Sequence, residues 1–472
     1  MAHPLERLSS VDGRYAKAVA ALAQRMSEGA LVRYRVTVKV AFIEHLADFP
    51  GVPVRPLTES EAEFLDKLVA DFSLDDAIVI QQIERKGYVD GEMKLGPTNH
   101  DVQSVELWLQ MKLRQTSMAD LLPWLHFGRT SEDINSCAYA LMLCDAISKV
   151  ILPQLFELND TLEKLSVEHA ELPMLARTHG QSASPTTFGK EMRVFKERLE
   201  RELNKLYRVT IDAKFSGATG NHNAEFVAFP NVDWPKFASS FIATLSRFTS
   251  SDPVIVANHY TTQIEPHDSY AELFQVMIRI NNIVEDLAQD TWRYISDGWI
   301  TQRAVASESG SSAMPHKVNP IDWENGEGNL ELANALFELF ARKLTKSRLQ
   351  RDLSDSTVMR NFGIAFGWSL IAYKAVMRGL GKSSPNAEAM AKALWEHPEV
   401  ITEAIQVILR REGVGGAYNI LKDVARGKAV SLDDLRSFVA TLDVNDVVKA
   451  EIMRITPLNY IGIAPAIARG EV

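Results

Sequence analysis

Apolar residues recur along this chain at alternating spacings of four and three, over stretches far longer than a short globular helix needs. Ile151, Leu155, Leu158, Leu162 and Leu165 form one stripe, and Phe188, Met192, Phe195, Leu199, Leu203 and Leu206 form a second. Leu273, Met277, Ile280, Val284 and Leu287 form a third. A helix turns by about 100° per residue, so each set shares one face. Stripes of this length favour helices packed lengthwise in a bundle over short helices that cross steeply. Pro153 falls in the first stripe; it lacks an N–H and its ring meets the preceding turn, so a kink or restart is expected there.

A chain of 472 residues exceeds one ordinary core, so two or three domains, or one very elongated one, are expected. Hydrophobic residues make up 46%, while the 25 glycines and 19 prolines are few, which argues against a disordered or turn-rich all-β chain. The fold class is read as all-α, a long-helix bundle. Changes of pattern divide the chain into an N-terminal helical region, 1–110, a central long-helix bundle, 111–363, and a smaller C-terminal helical region, 364–472.

Non-specific binding to nucleic acid or to an anionic membrane needs clustered Lys and Arg, and a net charge of −10 opposes both. Met1 to Ser10 holds no apolar signal core, and no uninterrupted apolar run reads as long enough to span a bilayer, so a cytoplasmic location is expected. Cys137 and Cys144 would lie roughly 10 Å apart along a helix, too far for a disulfide, and read as free buried thiols.

Lys86 to Pro97, Ser216 to Asn223 and Ser307 to Pro320 are rich in Gly, Pro or small polar residues and read as loops between helices. Two glycine clusters are set aside. Gly381-Lys382-Ser383 ends like a phosphate loop, but Val376 stands where that motif needs its first glycine. Gly413-Val414-Gly415-Gly416 has no preceding strand and reads as a helix end or turn. No Cys/His spacing suits zinc, so no metal and no other cofactor is expected. His3, His45, His169 and His397 lie outside dense polar clusters and are assigned no chemistry.

The most informative stretch is Ser309-Gly310-Ser311-Ser312-Ala313-Met314-Pro315-His316-Lys317-Val318-Asn319-Pro320, small and polar residues around a cation. It is very similar to the signature of the fumarase, aspartase and argininosuccinate lyase superfamily. With His316 after Met-Pro, it resembles the adenylosuccinate lyase family in particular. The resemblance runs along nearly the whole chain: Val11 to Tyr15, Thr98 to Val102, Thr130 to Asn135, Arg177 to Gln181, Thr261 to Asp268 and Gln350 to Ser356 all look like segments of its bacterial members.

Elimination from a succinyl group needs a base for a carbon-bound proton, cations to hold the dianion that forms, and an acid for the departing nitrogen. The resemblance implies Ser311 as the base. A serine hydroxyl is too weak unless its alkoxide is stabilised, and loop N–H groups and Lys317 would do that once the loop closes on substrate. His179 is implied as the acid, oriented by Glu324, since a carboxylate partner favours the proton-donating form of an imidazole. His100, beside Asp101, resembles the family's second histidine, near the phosphate or assisting the acid. Arg14, Tyr15, Arg351, Ser356 and Arg360 correspond to phosphate contacts, which guanidinium forks suit. Thr130, Ser131, Thr178, Gln263, Lys317 and Asn319 correspond to positions around the succinyl carboxylates and the base or amide.

The resemblance implies loss of fumarate from adenylosuccinate and from the succinylaminoimidazole carboxamide ribotide, small nucleotide substrates. It also implies a homotetramer with a shared helical core and sites drawn from three subunits. Four features depart from the family pattern: Lys86 to Pro97 looks inserted, Arg129 replaces a small residue, Ser182 stands where Pro usually follows Gln, and His222 replaces an aromatic.

Overall fold

A computed structural model describes residues 6–90, 93–249, 253–304, 314, 316–425 and 430–472. Helices dominate, and strands occur among the described residues only as five two-stranded ladders. The all-α expectation holds. The three stripes lie on the helices Leu152–Glu168, Phe188–Arg208 and Asp268–Ser296, apart from Ile151, which ends the turn just before the first. Every stripe residue is buried except Leu165, which is half-buried.

Pro153 is absorbed without a break. A single π-helical turn, Ile147–Ile151, joins the helix Ser131–Ala146 to Leu152–Glu168. Widening the ladder by one residue just before a proline relieves the missing hydrogen bond and the ring clash. The combined helix, Ser131–Glu168, is long and apolar enough to cross a bilayer by length and composition alone, yet polar residues interrupt it and 83% of its most apolar window is buried within the protein. The burial follows from its place in the core, where every residue from Glu132 to Ala146 is buried, the unpaired Cys137 and Cys144 included.

Residues cluster into two compact units, each made from three stretches of chain. The first comprises Met1–Leu155, Glu202–Asn282 and Gly328–Ala372; the second comprises Phe156–Arg201, Ile283–Glu327 and Tyr373–Val472. In the first, the helix Glu28–Asp48 packs along Ser131–Ala146. Phe274 is wholly buried there, with its ring centroid 5.0 to 6.4 Å from those of Phe337, Phe340, Phe362 and Phe366. In the second, Gly379 lets a helix approach Trp323, since a Cβ there would fall 2.8 Å from the indole. The Ser166 hydroxyl donates to the Ala468 carbonyl at 2.5 Å, tying the C-terminal helix Ala464–Arg469 to this unit.

The stretch from Lys86 to Pro97, expected as a loop, carries a hairpin of Tyr88–Asp90 and Met93–Leu95 with Tyr88 opposite Leu95. Its base is closed by Gly87 at φ +76, where a Cβ would lie 2.2 Å from the Leu95 carbonyl oxygen. Only glycine fits so close an approach in that conformation.

Phe274→Ala removes the ring at the centre of the aromatic cluster, and a destabilisation of about 3–5 kcal/mol is expected by urea or thermal unfolding. A loss under about 1 kcal/mol would contradict the tight packing assigned to it.

Candidate active site

In the first unit, the site gathers residues from several helices. Thr98 and Asn99 are pinned to the end of the helix Leu74–Lys86, their N–H groups donating to the carbonyls of Ile83 and Glu84 at 3.3 and 2.9 Å. Asn99 then takes φ +50, a conformation asparagine tolerates better than most residues, and the chain turns into the helix Asp101–Leu113 with His100 as its cap. His100 Nδ1 accepts from the Gln103 N–H at 3.4 Å. That role leaves the ring proton of a neutral imidazole on Nε2, which lies 3.2 Å from the Ser131 hydroxyl.

Ser131 opens the buried helix, and the next residues carry charge into the core. Asp133, fully buried, accepts from Lys214 Nζ at 2.7 Å and from the N–H groups of Thr130, Ser216 and Gly217 at 2.8, 2.9 and 3.1 Å. Burial pushes this carboxyl up, but the charges of Lys214 and Arg129 and the hydrogen bonds outweigh it and hold it below the ordinary range. Glu132 pairs with Arg351 Nη2 at 2.9 Å and accepts from Asn135 Nδ2 at 2.7 Å. There burial wins, and the carboxyl is raised despite Arg351 and Asn135. Arg351 Nη1 also reaches the Gln263 carboxamide oxygen at 3.3 Å.

Arg360 pairs with Glu28 and, at 2.9 Å, with Asp101. The same Asp101 oxygen takes Arg35 Nη2 at 2.8 Å, and Arg35 Nε donates to Asn135 Oδ1 at 2.9 Å. Burial pushes Asp101 up, while Arg35, the Val102 N–H and Arg360 bring it below the ordinary carboxylate range. Glu28, Arg35, Asp101 and Arg360 line a cavity of about 520 Å³, within the roughly 300–1,000 Å³ range of small-ligand sites. Ser356, half-buried, sits on the short helix Ser354–Met359 and donates its N–H to Asp355 at 2.6 Å. Arg14 is exposed, 6.0 Å from the centre of the half-buried Tyr15 ring.

Two departures noted in the sequence meet in this unit. Arg129 is buried and paired with Glu225, donates to the Phe215 carbonyl at 2.8 Å, and lies 4.5 Å from the Phe215 ring centre. His222 Nδ1 is 3.3 Å from the same Glu225. Arg129 therefore faces the interior and stiffens the turn that leads into Thr130.

In the second unit, His179 occupies the tip of a hairpin formed by Arg177–Thr178 and Gln181–Ser182. His179 and Gly180 both have positive φ, +53 and +74, the geometry of a tight two-residue turn whose twist matches its strands. The turn lifts the imidazole into solvent, with exposed Thr178 beside it, rather than capping a helix. Ser182, in place of the usual proline, pairs with Arg177 in the ladder. Glu324 is exposed on the helix Ile321–Lys343 and accepts from the Trp292 indole N–H at 3.2 Å; within one chain it makes no hydrogen bond to His179. Lys317 and His316 are exposed, with the Lys317 N–H turned onto the Met314 carbonyl at 3.1 Å, and Asn319 is half-buried. Ser311 lies outside the described residues.

The structure thus joins His100 to Ser131, Arg351 to Gln263 and Arg360 to Asp101. Arg35, Asn135 and Glu132 are the members that motif reading missed as individual groups. Glu132 and Asn135 sat inside a quoted segment; for Arg35 the one available signal was a cation, four residues before Lys39, within an otherwise apolar helix.

The backbone resembles solved structures of a fumarate lyase from Mesorhizobium (TM-score 0.72, 17% identity, covering 96% of this chain and 97% of that one) and of the 3-carboxy-cis,cis-muconate lactonizing enzyme of Pseudomonas putida (0.70, 17%, 95% of each). Residues 13–333 match the family described as Lyase, and residues 347–461 match that described as Adenylosuccinate lyase C-terminal. Fold and sequence together define a lyase. The adenylosuccinate lyase of Legionella pneumophila is 45% identical over 98% of each chain, and that of Escherichia coli is 42% identical over 98% of this chain and 97% of its own. The chain belongs to the adenylosuccinate lyase family.

Glu265, in the segment that carries Gln263, is buried and accepts from the Asn258 amide and the His267 N–H. Burial raises its carboxyl to about 7 from 4.5, against both hydrogen bonds. A raised folded value means a stabilising contribution that is complete below pH 4.5 and lost as pH climbs through about 7. Glu265→Gln, which cannot ionise, is expected to gain in Tm relative to the parent as pH rises from about 5 to about 8. A Tm difference constant across that range would refute the assignment.

Proposed function

We propose that the chain eliminates fumarate from adenylosuccinate, giving AMP, and from the succinylaminoimidazole carboxamide ribotide, giving the carboxamide ribotide. The observation that carries this reading is the pair of guanidiniums, Arg351 and Arg360, tied by hydrogen bonds and ion pairs into the same polar cluster as His100 and Ser131. Such a cluster suits a substrate with phosphate at one end and carboxylates at the other.

In this reading Ser311 takes the proton from the succinyl carbon beside a carboxylate, and the electron pair left there forms the new carbon-carbon double bond. The carbon-nitrogen bond breaks with its pair on nitrogen, and His179 delivers a proton to that nitrogen. Lys317 and Asn319 stabilise the dianion before the bond breaks. Thr130, Ser131, Thr178 and Gln263 hold the carboxylates and the base or amide. Arg14, Tyr15, Arg351, Ser356 and Arg360 hold the phosphate end, with Asp101 orienting Arg360. Phosphate must compete with Glu28 and Asp101 for Arg360, an exchange of one charged acceptor for another.

The active form in this reading is a homotetramer in which each site draws on three subunits. The assembly is assigned to the cytoplasm. Neither proton transfer requires a metal or a redox group.

The test follows ultraviolet absorbance of purified protein with adenylosuccinate, then with argininosuccinate and with malate. Turnover of adenylosuccinate is expected; turnover of a competitor alone overturns the reading. His179→Ala is expected to lower kcat by about a hundred- to ten-thousand-fold while the protein remains folded. Near-normal turnover would remove the histidine from its role.

A further inference from the structure

Arg35 belongs to none of the motifs that resemble the family, yet it is the node of the polar cluster. Its side chain is 2% exposed. Through Nη2 it holds Asp101, the first residue of the helix that His100 caps, on the same oxygen that receives Arg360. Through Nε it holds Asn135, whose amide donates to Glu132, which in turn pairs with Arg351. The remaining link closes a ring, because Ser131, one residue before Glu132, meets His100. Arg35 Nη1 is buried without an acceptor among the described residues, so the guanidinium is held by its two directed contacts rather than saturated by its surroundings.

We propose that Arg35 is a positioning residue for the elimination: one buried guanidinium sets the direction of both phosphate-facing arginines and the cap that carries His100. It touches no reacting atom. A planar fork that donates at fixed angles can satisfy Asp101 and Asn135 together, while a lysine ammonium offers one point charge and cannot span both. With lysine, charge balance persists, but one ammonium cannot both share Asp101 with Arg360 and donate to the Asn135 oxygen. The Asn135 amide is then free to rotate, and Glu132 and Arg351 shift with it.

The inference rests on the functional reading above and is tested so that the two fail separately. Steady-state kinetics are measured for the parent chain and Arg35→Lys, with adenylosuccinate and with its phosphate-free counterpart, succinyladenosine. A positioning role predicts that Arg35→Lys raises KM for adenylosuccinate by about ten-fold or more with kcat changed less, since misplaced binding groups act first on the bound phosphate. The penalty in kcat/KM must shrink with succinyladenosine, which presents no phosphate to the displaced arginines. A purely structural role predicts equal losses on both substrates, and that result overturns the proposal.

Asn135→Asp supplies a second probe if Arg35→Lys does not fold. It keeps an acceptor for Arg35 but sets a carboxylate against Glu132, so only the Arg351 branch is disturbed. A phosphate-dependent rise in KM is again expected, and an unchanged KM overturns the proposal. A parent chain that turns over neither substrate overturns the functional reading, and the inference falls with it.

Discussion

A helix buried on every side cannot carry charge into the core unless each charge finds a partner there, and the helix Ser131–Ala146 carries two, Glu132 and Asp133, in its first turn. That constraint organises the first unit. Asp133 draws in Lys214 and the backbone of Ser216 and Gly217, which fixes the turn after the strand Thr210–Ala213. Glu132 draws in Arg351 from a segment more than two hundred residues away in sequence. Arg129, just before the helix, is held in the same way by Glu225. Truncating one partner of such a pair leaves the other buried and unpaired, which costs about 3–5 kcal/mol, so these contacts specify an arrangement even where they add little net stability.

The chemical consequence is a set of donors oriented before any substrate arrives. Groups held rigidly in a water-poor setting stabilise developing charge without reorganising as the reaction proceeds. Arg351 and Arg360 keep their directions because each is paired with a carboxylate that is itself held by Asn135 or Arg35. His100 keeps one tautomer because its Nδ1 is occupied by the helix end it caps. By contrast, His179 stands on an exposed two-residue turn at the end of a short ladder.

Much of the fold was legible in the sequence because its signal is local. Stripes such as Phe188 to Leu206 need only the helical period to be read, and their residues are buried as the period requires. Pro153 announced a disturbance, though not that a π turn would absorb it, because that outcome depends on the flanking ladder. Polar Asn135, Ser136 and Asp145 punctuate the apolar run in Ser131–Glu168, and only the packing reveals that those residues too are buried. The hairpin at 88–95 was hidden by its short strands and by Gly87, which reads as loop until the chain closes on it. The site was legible as a roster of motifs but not as a network. Arg35 touches Asp101 and Asn135 across sixty-six and a hundred positions of sequence, and no spacing rule connects residues on separate helices.

The central claim is that the polar cluster at the end of the buried helix forms the anion-binding half of the active site. A crystal structure of the protein with AMP and fumarate together tests it most directly. The account predicts the phosphate within hydrogen-bond distance of Arg351 and Arg360, with the Arg360–Glu28 pair opened and the Arg35 contacts to Asp101 and Asn135 unchanged. A nucleotide bound elsewhere, with those arginines still paired only to carboxylates, would contradict it.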